Sequence, residues 1–253
     1  MIKLQHHPIT DSDYVAACRA RLDEDGALVL KGFFSSDVVS AILAESTGRD
    51  HEAFFASTTH NVWLTEPDRS LPPEHIFNRQ IVSTKGLLAD DQLDQGSALR
   101  AVYDDADFRD FIAAVVDVDA VYPYADALSS INVHFHRDGE ELGWHFDNSS
   151  FAVTALIQAP EDGGVFEYVT DLRDAEADDQ NFVGVEDAVL NGRGVETLEF
   201  AAGDLVLFRG RNSMHRVTPS RGDRTRVLVV FAFNTEPGIG LSDSAKQTFY
   251  GRL

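Results

Sequence analysis

The chain has 253 residues, of which 43% are hydrophobic, 21 are basic and 42 are acidic, for a formal charge of −21. That size and apolar content suffice for one sizeable core, while the acidity repels phosphate backbones and anionic lipid and so disfavours nucleic-acid and membrane-surface partners. A single cysteine, Cys18, excludes an internal disulfide and a cysteine-built zinc site.

No signal-like segment opens the chain, and no apolar run nears the ~20 residues that span a bilayer. The cytoplasm is therefore the expected location. Thr10-Asp-Ser-Asp13 is N-cap chemistry ahead of spaced Val15, Ala16, Ala17 and Leu22, which predicts a helix over 10–24 with Cys18 buried on it. Gly26 then turns the chain into a β-like run, Ala27 to Phe34, and Ser35-Ser-Asp37 caps a second helix to about Thr47. Residues 48–92 read as irregular. Phe54, Phe55, Trp63, Leu64, Leu71, Pro72 and Pro73 suit a lid or pocket wall as well as a loop-rich packing layer. From Asp94 to Val118 the spacing of Leu99, Val102, Tyr103, Phe108, Phe111, Ile112 and Val115 predicts one or two helices.

The second half turns to strands. Asp126 to His136, Phe151 to Ala159, Val165 to Val169, Val195 to Phe200, Leu205 to Phe208 and Arg226 to Phe233 are β-like, separated by Gly-rich turns. The exception is an acidic stretch, 171–194, with helical character around Val185 to Leu190. Many short strands predict a sandwich or barrel. With no repeat and no linker, 1–253 reads as a single domain, helical or irregular over 1–125 and β over about 126–253.

The chemistry concentrates at His145 and Asp147. On a strand, positions i and i+2 share a face, so both can point into a barrel mouth. His215 follows on a distant strand, after Gly203-Asp-Leu-Val-Leu-Phe208. Two histidines and one carboxylate on one face form the facial triad that holds non-haem Fe(II) and leaves coordination positions open. Arg224 and Arg226 form another i, i+2 pair heading an otherwise apolar strand, where a guanidinium could bind a carboxylate bidentately. His134 and His136 share a face on the strand before the ligand turn, with a pocket role and a structural role both open. His6, His7, His51, His60 and His75 lie in polar or irregular stretches and are expected to face solvent.

These residues resemble the Fe(II)/2-oxoglutarate-dependent oxygenase superfamily. Trp144-His-Phe-Asp-Asn-Ser-Ser-Phe151, the run from Leu156 to Val169, His215-Arg-Val-Thr-Pro219 and Phe249-Tyr-Gly-Arg252 are similar to its free-amino-acid radical halogenases and the related, lysine-type hydroxylases. The resemblance implies a mainly β fold with flanking helices around a double-stranded β-helix (jelly-roll, cupin-like) core. It implies Fe(II) at His145, Asp147 and His215, 2-oxoglutarate on Arg226 with Arg224 as the alternative, and O₂ as a further co-substrate. In the halogenases of this group a small residue replaces the carboxylate ligand and makes room for chloride. Asp147 therefore favours hydroxylation, and lysine or another basic free amino acid is the expected substrate.

Such a substrate needs a cation for its carboxylate and acceptors for its ammonium groups. Arg79, Asp126, His134, Asn148 and Asn234 are the polar candidates. Other readings are an oxygenase, hydroxylase or desaturase, acting on a different small metabolite or peptide, and a non-catalytic jelly-roll protein binding a metal or small acid. The sequence leaves a homodimer open.

Overall fold

The computed structural model describes residues 2–253. Helix α1 (Ser12–Asp25) starts where Asp11 accepts hydrogen bonds from the Asp13 and Tyr14 N–H groups, and buries Cys18 and Leu22. It ends at Gly26, whose left-handed φ of 67° lets its N–H reach the Leu22 carbonyl. Strand β1 (Ala27–Leu30) and helix α2 (Ser36–Gly48) follow as expected.

The irregular reading of 48–92 is overturned, while the pocket-wall reading holds for Phe54 and Leu64, which line a cavity. Strands β2 (Phe54–His60) and β3 (Ile81–Leu88) pair antiparallel from Phe54 opposite Leu87 to His60 opposite Ile81. β2 hides its nature because Ser57, Thr58 and Thr59 are exposed, which erases the apolar alternation. Its register is marked instead by Gly86, which the Phe55 ring covers so closely that a Cβ there would lie 2.4 Å from the ring.

Helices α3 (Ala98–Tyr103) and α4 (Ala106–Val116) divide at Asp105, whose carboxylate caps the Phe108 N–H. At 11 residues α4 would be marginal alone. Packing holds it: Phe108, Phe111, Ile112 and Val115 are buried to within 1%, each gaining roughly 1.5–3 kcal/mol over exposure.

The rest is β4 (Ile131–His136), β5 (Leu142–His145), β6 (Ala152–Gln158), β7 (Asp162–Gly163), β8 (Phe166–Val169), α5 (Phe182–Asn191), β9 (Glu196–Leu198), β10 (Leu205–Phe208), β11 (Met214–Val217), β12 (Ser220–Arg221), β13 (Arg226–Phe231) and α6 (Asp243–Tyr250). Seven strands form one sheet in the order β1-β10-β6-β13-β4-β3-β2, and four form a second in the order β5-β11-β8-β9. This is a jelly-roll core with flanking helices.

The large sheet is covered on both faces, which explains its nearly continuous apolar strands. On β13, Val227 and Val229 join the core shared with α1, α2 and α4. Arg226, Leu228 and Val230, alternating with them, line a cavity between the sheets. Among the described residues no helix is long and apolar enough to cross a membrane.

Candidate metal centre

His145 ends β5, and His215 lies directly across from it on β11. Cross-strand pairing alone thus brings the two rings to a centroid distance of 4.2 Å. Asp147 lies two residues past the end of β5, not within the strand as the i, i+2 argument supposed. Its N–H donates to the Gly210 carbonyl at 2.9 Å, which keeps the chain extended and returns the carboxylate to the histidines. Asp147 Oδ1 is 3.6 Å from Nε2 of His145 and 3.6 Å from Nε2 of His215. The three ligand atoms lie within 4.8 Å of one another, and each Nε2–Oδ1 separation is short enough for one ion about 2.1 Å from both atoms.

The surroundings fix the tautomers. His145 Nδ1 is 2.8 Å from the Gly143 carbonyl and His215 Nδ1 is 3.1 Å from the Ser213 carbonyl. A carbonyl only accepts, so each Nδ1 carries the proton and each Nε2 lone pair faces the centre. Burial, then the neighbouring His215, holds His145 well below the usual imidazole range, so it stays neutral as a ligand must. Asp147 Oδ2 is buried with no hydrogen-bond partner, an unfavourable state that a cation would relieve. This donor set fits a divalent ion such as Fe(II).

Support extends outward through β2 and β3. Ser83 Oγ accepts the Gly143 N–H at 3.0 Å and lies 2.7 Å from His60 Nε2, while His60 Nδ1 donates to the Asn61 carbonyl at 2.9 Å. His60 is therefore part of the wall of the site and not solvent-facing. His7, also expected outside, is 8% exposed between Tyr14 and the Lys31 carbonyl.

Gly210 is a steric requirement. A Cβ there would lie 2.0 Å from Asp147 Oδ2 and 2.9 Å from His215 Cε1. Gly210→Ala is expected to keep the fold, displace the carboxylate and weaken Fe(II) binding about 10–100-fold, as loss of a ligand-orienting contact does. Anaerobic iron titration beside circular dichroism checks this, and unchanged affinity would mean that the loop yields instead.

The cavity next to the triad measures about 330 Å³. Phe54, Leu64, Phe166, Phe208 and Phe249 are among its walls, and among the described residues its charged lining residues are Asp147, Lys85 and Arg226. Arg226 is 1% exposed. Burial lowers it to about 10, so it remains a cation at neutral pH. Its Nη1 lies 3.4 Å from His136 Nδ1, and no carboxylate of the described residues pairs with it.

Arg224 does not share this orientation. β13 begins only at Arg226, and Arg224, outside it, is exposed and donates to the carbonyls of Ala159 and Pro160 at 2.8 Å each.

Of the five proposed substrate contacts, only His134 lines the cavity. Arg79 is exposed at the end of a short 3-10 turn. Asp126 is consumed as a turn former, accepting from the Leu128 and Leu241 N–H groups and the Ser129 hydroxyl. Asn148 is exposed, with its carbonyl taken by Arg211. Asn234 bridges to Tyr122 and donates to the Ile239 carbonyl.

The residue that sequence reasoning missed is Lys85. It shares one face of β3 with Ser83 and Leu87, a relation visible at i, i+2 spacing once β3 is known to be a strand. Burial pushes Lys85 down to about 8, against 10.5 for the free side chain. Between those values the unfolded chain binds the extra proton, so stability rises with pH there. Relative to Lys85→Met, the wild-type protein is expected to gain up to about 3 kcal/mol between pH 8 and 10.5, read from denaturant melts of both proteins. A flat difference would mean that the ammonium is already well solvated.

Comparison with known proteins bears on the family and the fold. A family model described as Halogenase D matches residues 79–248. A PKHD-type hydroxylase of Pseudomonas putida is 33% identical over 95 residues, 36% of this chain and 38% of that protein, so the match spans well under half of the relative. Among solved structures, an oxidoreductase of the 2OG-Fe(II) oxygenase family from Burkholderia pseudomallei superposes with a TM-score of 0.56 at 14% identity, covering 89% of this chain and 93% of that one. A prolyl-4-hydroxylase from Pseudomonas putida gives a TM-score of 0.53 at 17% identity, over 85% and 96% of the two chains. At these identities the structural likeness speaks to the fold.

Proposed function

The chain belongs to the Halogenase D family, and on that premise we propose that it is an Fe(II)- and 2-oxoglutarate-dependent oxygenase that hydroxylates an unactivated C–H bond of a free amino acid. The observation that carries this reading is the convergence of His145, Asp147 and His215 beside a cavity holding the unpaired cation Arg226. Iron(II) with 2-oxoglutarate and O₂ supplies the oxidation, in which one oxygen atom enters the substrate as hydroxyl and the other enters succinate as CO₂ leaves.

The chain's own residues hold, orient and exclude. His145 and His215 offer Nε2 and Asp147 a carboxylate oxygen, all from one side, so the opposite positions stay open. Arg226 presents a planar fork to the distal carboxylate of 2-oxoglutarate. Phe166 and Phe208 pack against the His215 ring at centroid distances of 5.4 and 4.9 Å, fixing it and keeping water from that side. Asp147 keeps a carboxylate where a halogenase would need room for halide, which supports hydroxylation over halogenation.

A small-molecule substrate suits a cavity of about 330 Å³ lined by side chains of both sheets, and the acidic composition disfavours a nucleic-acid partner. Lysine is the amino acid to which the sequence resemblance points. The cavity, however, offers no carboxylate except Asp147 to receive a side-chain ammonium.

Protein purified without oxygen and given Fe(II), 2-oxoglutarate, O₂ and a panel of free amino acids is expected to form succinate in step with one amino acid gaining an oxygen atom, followed by mass spectrometry. A chlorinated product would overturn the role of Asp147. Neither succinate nor retained iron would leave a non-catalytic binding protein.

A further inference from the structure

We propose that Lys85 holds the carboxylate of the organic substrate, and that this substrate is an amino acid without a cationic side chain. The inference rests on the oxygenase reading above and names the substrate class of that same site.

Lys85 and Arg226 stand on β3 and β13, with β4 between them. Strands lie about 4.8 Å apart in a sheet, so the two backbones are roughly 10 Å apart across one face, and the two side chains reach different histidines of β4. Arg226 has only His136 beside it. Lys85 has His134 Nδ1 at 3.5 Å and the Phe249 ring, its Nζ 5.9 Å from the centroid. No carboxylate of the described residues forms an ion pair with Lys85. Lys85 is half-buried, and the acid that acts on it, Asp147, belongs to the triad. A partly desolvated ammonium with no paired carboxylate is unfavourable, so the position suits a ligand that brings one.

Charge counting gives the same answer. Burial, reinforced by nearby cations, holds His134 and His136 well below the usual imidazole range. The charged lining then sums to +1, from Lys85 and Arg226 against Asp147. A divalent metal and a 2-oxoglutarate dianion cancel each other. One positive charge is left over, and with Arg226 occupied it is that of Lys85. A substrate carboxylate matches it and leaves the α-ammonium as the one charge held by neutral acceptors. A cationic side chain would add a second unmatched charge where fields are poorly screened.

In the same cavity, the hydroxyl of Thr58 and the phenol of Tyr124 are neutral acceptors for the α-ammonium. Phe54, Leu64 and Phe249 offer apolar surface to the rest of the molecule.

Norleucine, norleucinamide and lysine separate these features, since the amide lacks the carboxylate and lysine adds a terminal ammonium to the same chain. Affinities are read by anaerobic titration calorimetry on wild-type, Lys85→Gln and Lys85→Arg proteins loaded with Fe(II) and 2-oxoglutarate, beside ligand-observed NMR with all twenty amino acids. Norleucine or another neutral amino acid is expected to bind the wild type at least tenfold more tightly than norleucinamide or lysine. Lys85→Gln should lose at least tenfold in that affinity, Lys85→Arg should recover part of it, and the affinity for 2-oxoglutarate should change less than twofold in both.

Lysine binding as tightly as norleucine, unchanged affinity in Lys85→Gln, or no binding by any amino acid would overturn the proposal. An equal loss of 2-oxoglutarate affinity would overturn it too, by placing Lys85 in the co-substrate site. Failure of the wild type to bind Fe(II) and 2-oxoglutarate is read in the same titrations. It would overturn the oxygenase reading first and this one with it.

Discussion

Asp147→Gly is expected to fold, to bind Fe(II) far more weakly and to lose hydroxylation. The carboxylate is the only anionic donor of the triad, and its Oδ1 faces both Nε2 atoms at 3.6 Å. Losing a contact that merely orients a ligand costs roughly 10–100-fold in metal affinity, so losing the ligand itself should exceed that range. The fold should survive because no hydrogen bond of the side chain holds it: Oδ2 has no hydrogen-bond partner, and the backbone bond to the Gly210 carbonyl is kept. Anaerobic titration should give an iron affinity reduced more than roughly 100-fold, with oxygenated product falling in step even at saturating iron. The substitution empties a volume beside Gly210, where no Cβ intrudes. A chloride titration of the iron-loaded variant reads whether that volume admits a halide. Undiminished hydroxylation would remove Asp147 from the metal.

The triad was legible because apolar strands flank its residues in the sequence. β6, Ala152 to Gln158, follows Asp147, and β10, Leu205 to Phe208, buried throughout, precedes His215. Asp147 was found for a partly wrong reason. The i, i+2 rule places it on β5, whereas its orientation comes from the hydrogen bond to Gly210, a contact 63 residues away in the chain that no local pattern encodes.

β2 and β3 were illegible for the opposite reason. The outer edge strand β2 exposes a threonine and serine face, so its apolar residues do not alternate. Missing those strands meant missing Lys85, Ser83 and His60 together. Of the substrate candidates, Asp126 and Asn234 are taken up by hydrogen bonds of a turn and a strand end, Asn148 and Arg79 are exposed, and only the strand residue His134 lines the cavity.

Arg226→Met should move stability and co-substrate affinity in opposite directions, which separates a binding role from a structural one. The guanidinium is fully buried, has no carboxylate beside it and is already depressed to about 10 by desolvation. Replacing such a buried charge with an apolar side chain of similar volume is often neutral or stabilising by about 1–4 kcal/mol. In a chain of this size each kcal/mol moves the melting temperature by about 2–4 °C, so the variant without 2-oxoglutarate should melt no lower than the wild type.

With 2-oxoglutarate the order should reverse. Removing one partner of a buried charge pair costs about 3–5 kcal/mol, and about 1.4 kcal/mol is tenfold in affinity. The Kd for 2-oxoglutarate should therefore rise by two to three orders of magnitude, and the stabilisation the ligand gives the wild type should vanish. Arg226→Lys keeps the charge but not the planar fork, so its affinity should fall between the two. Calorimetry and thermal melts on the three proteins, each with and without 2-oxoglutarate, supply all six values. An Arg226→Met protein that binds 2-oxoglutarate as the wild type does would transfer the anchor to Lys85, the cavity's other cation, and the charge count would then leave Arg226 for the substrate.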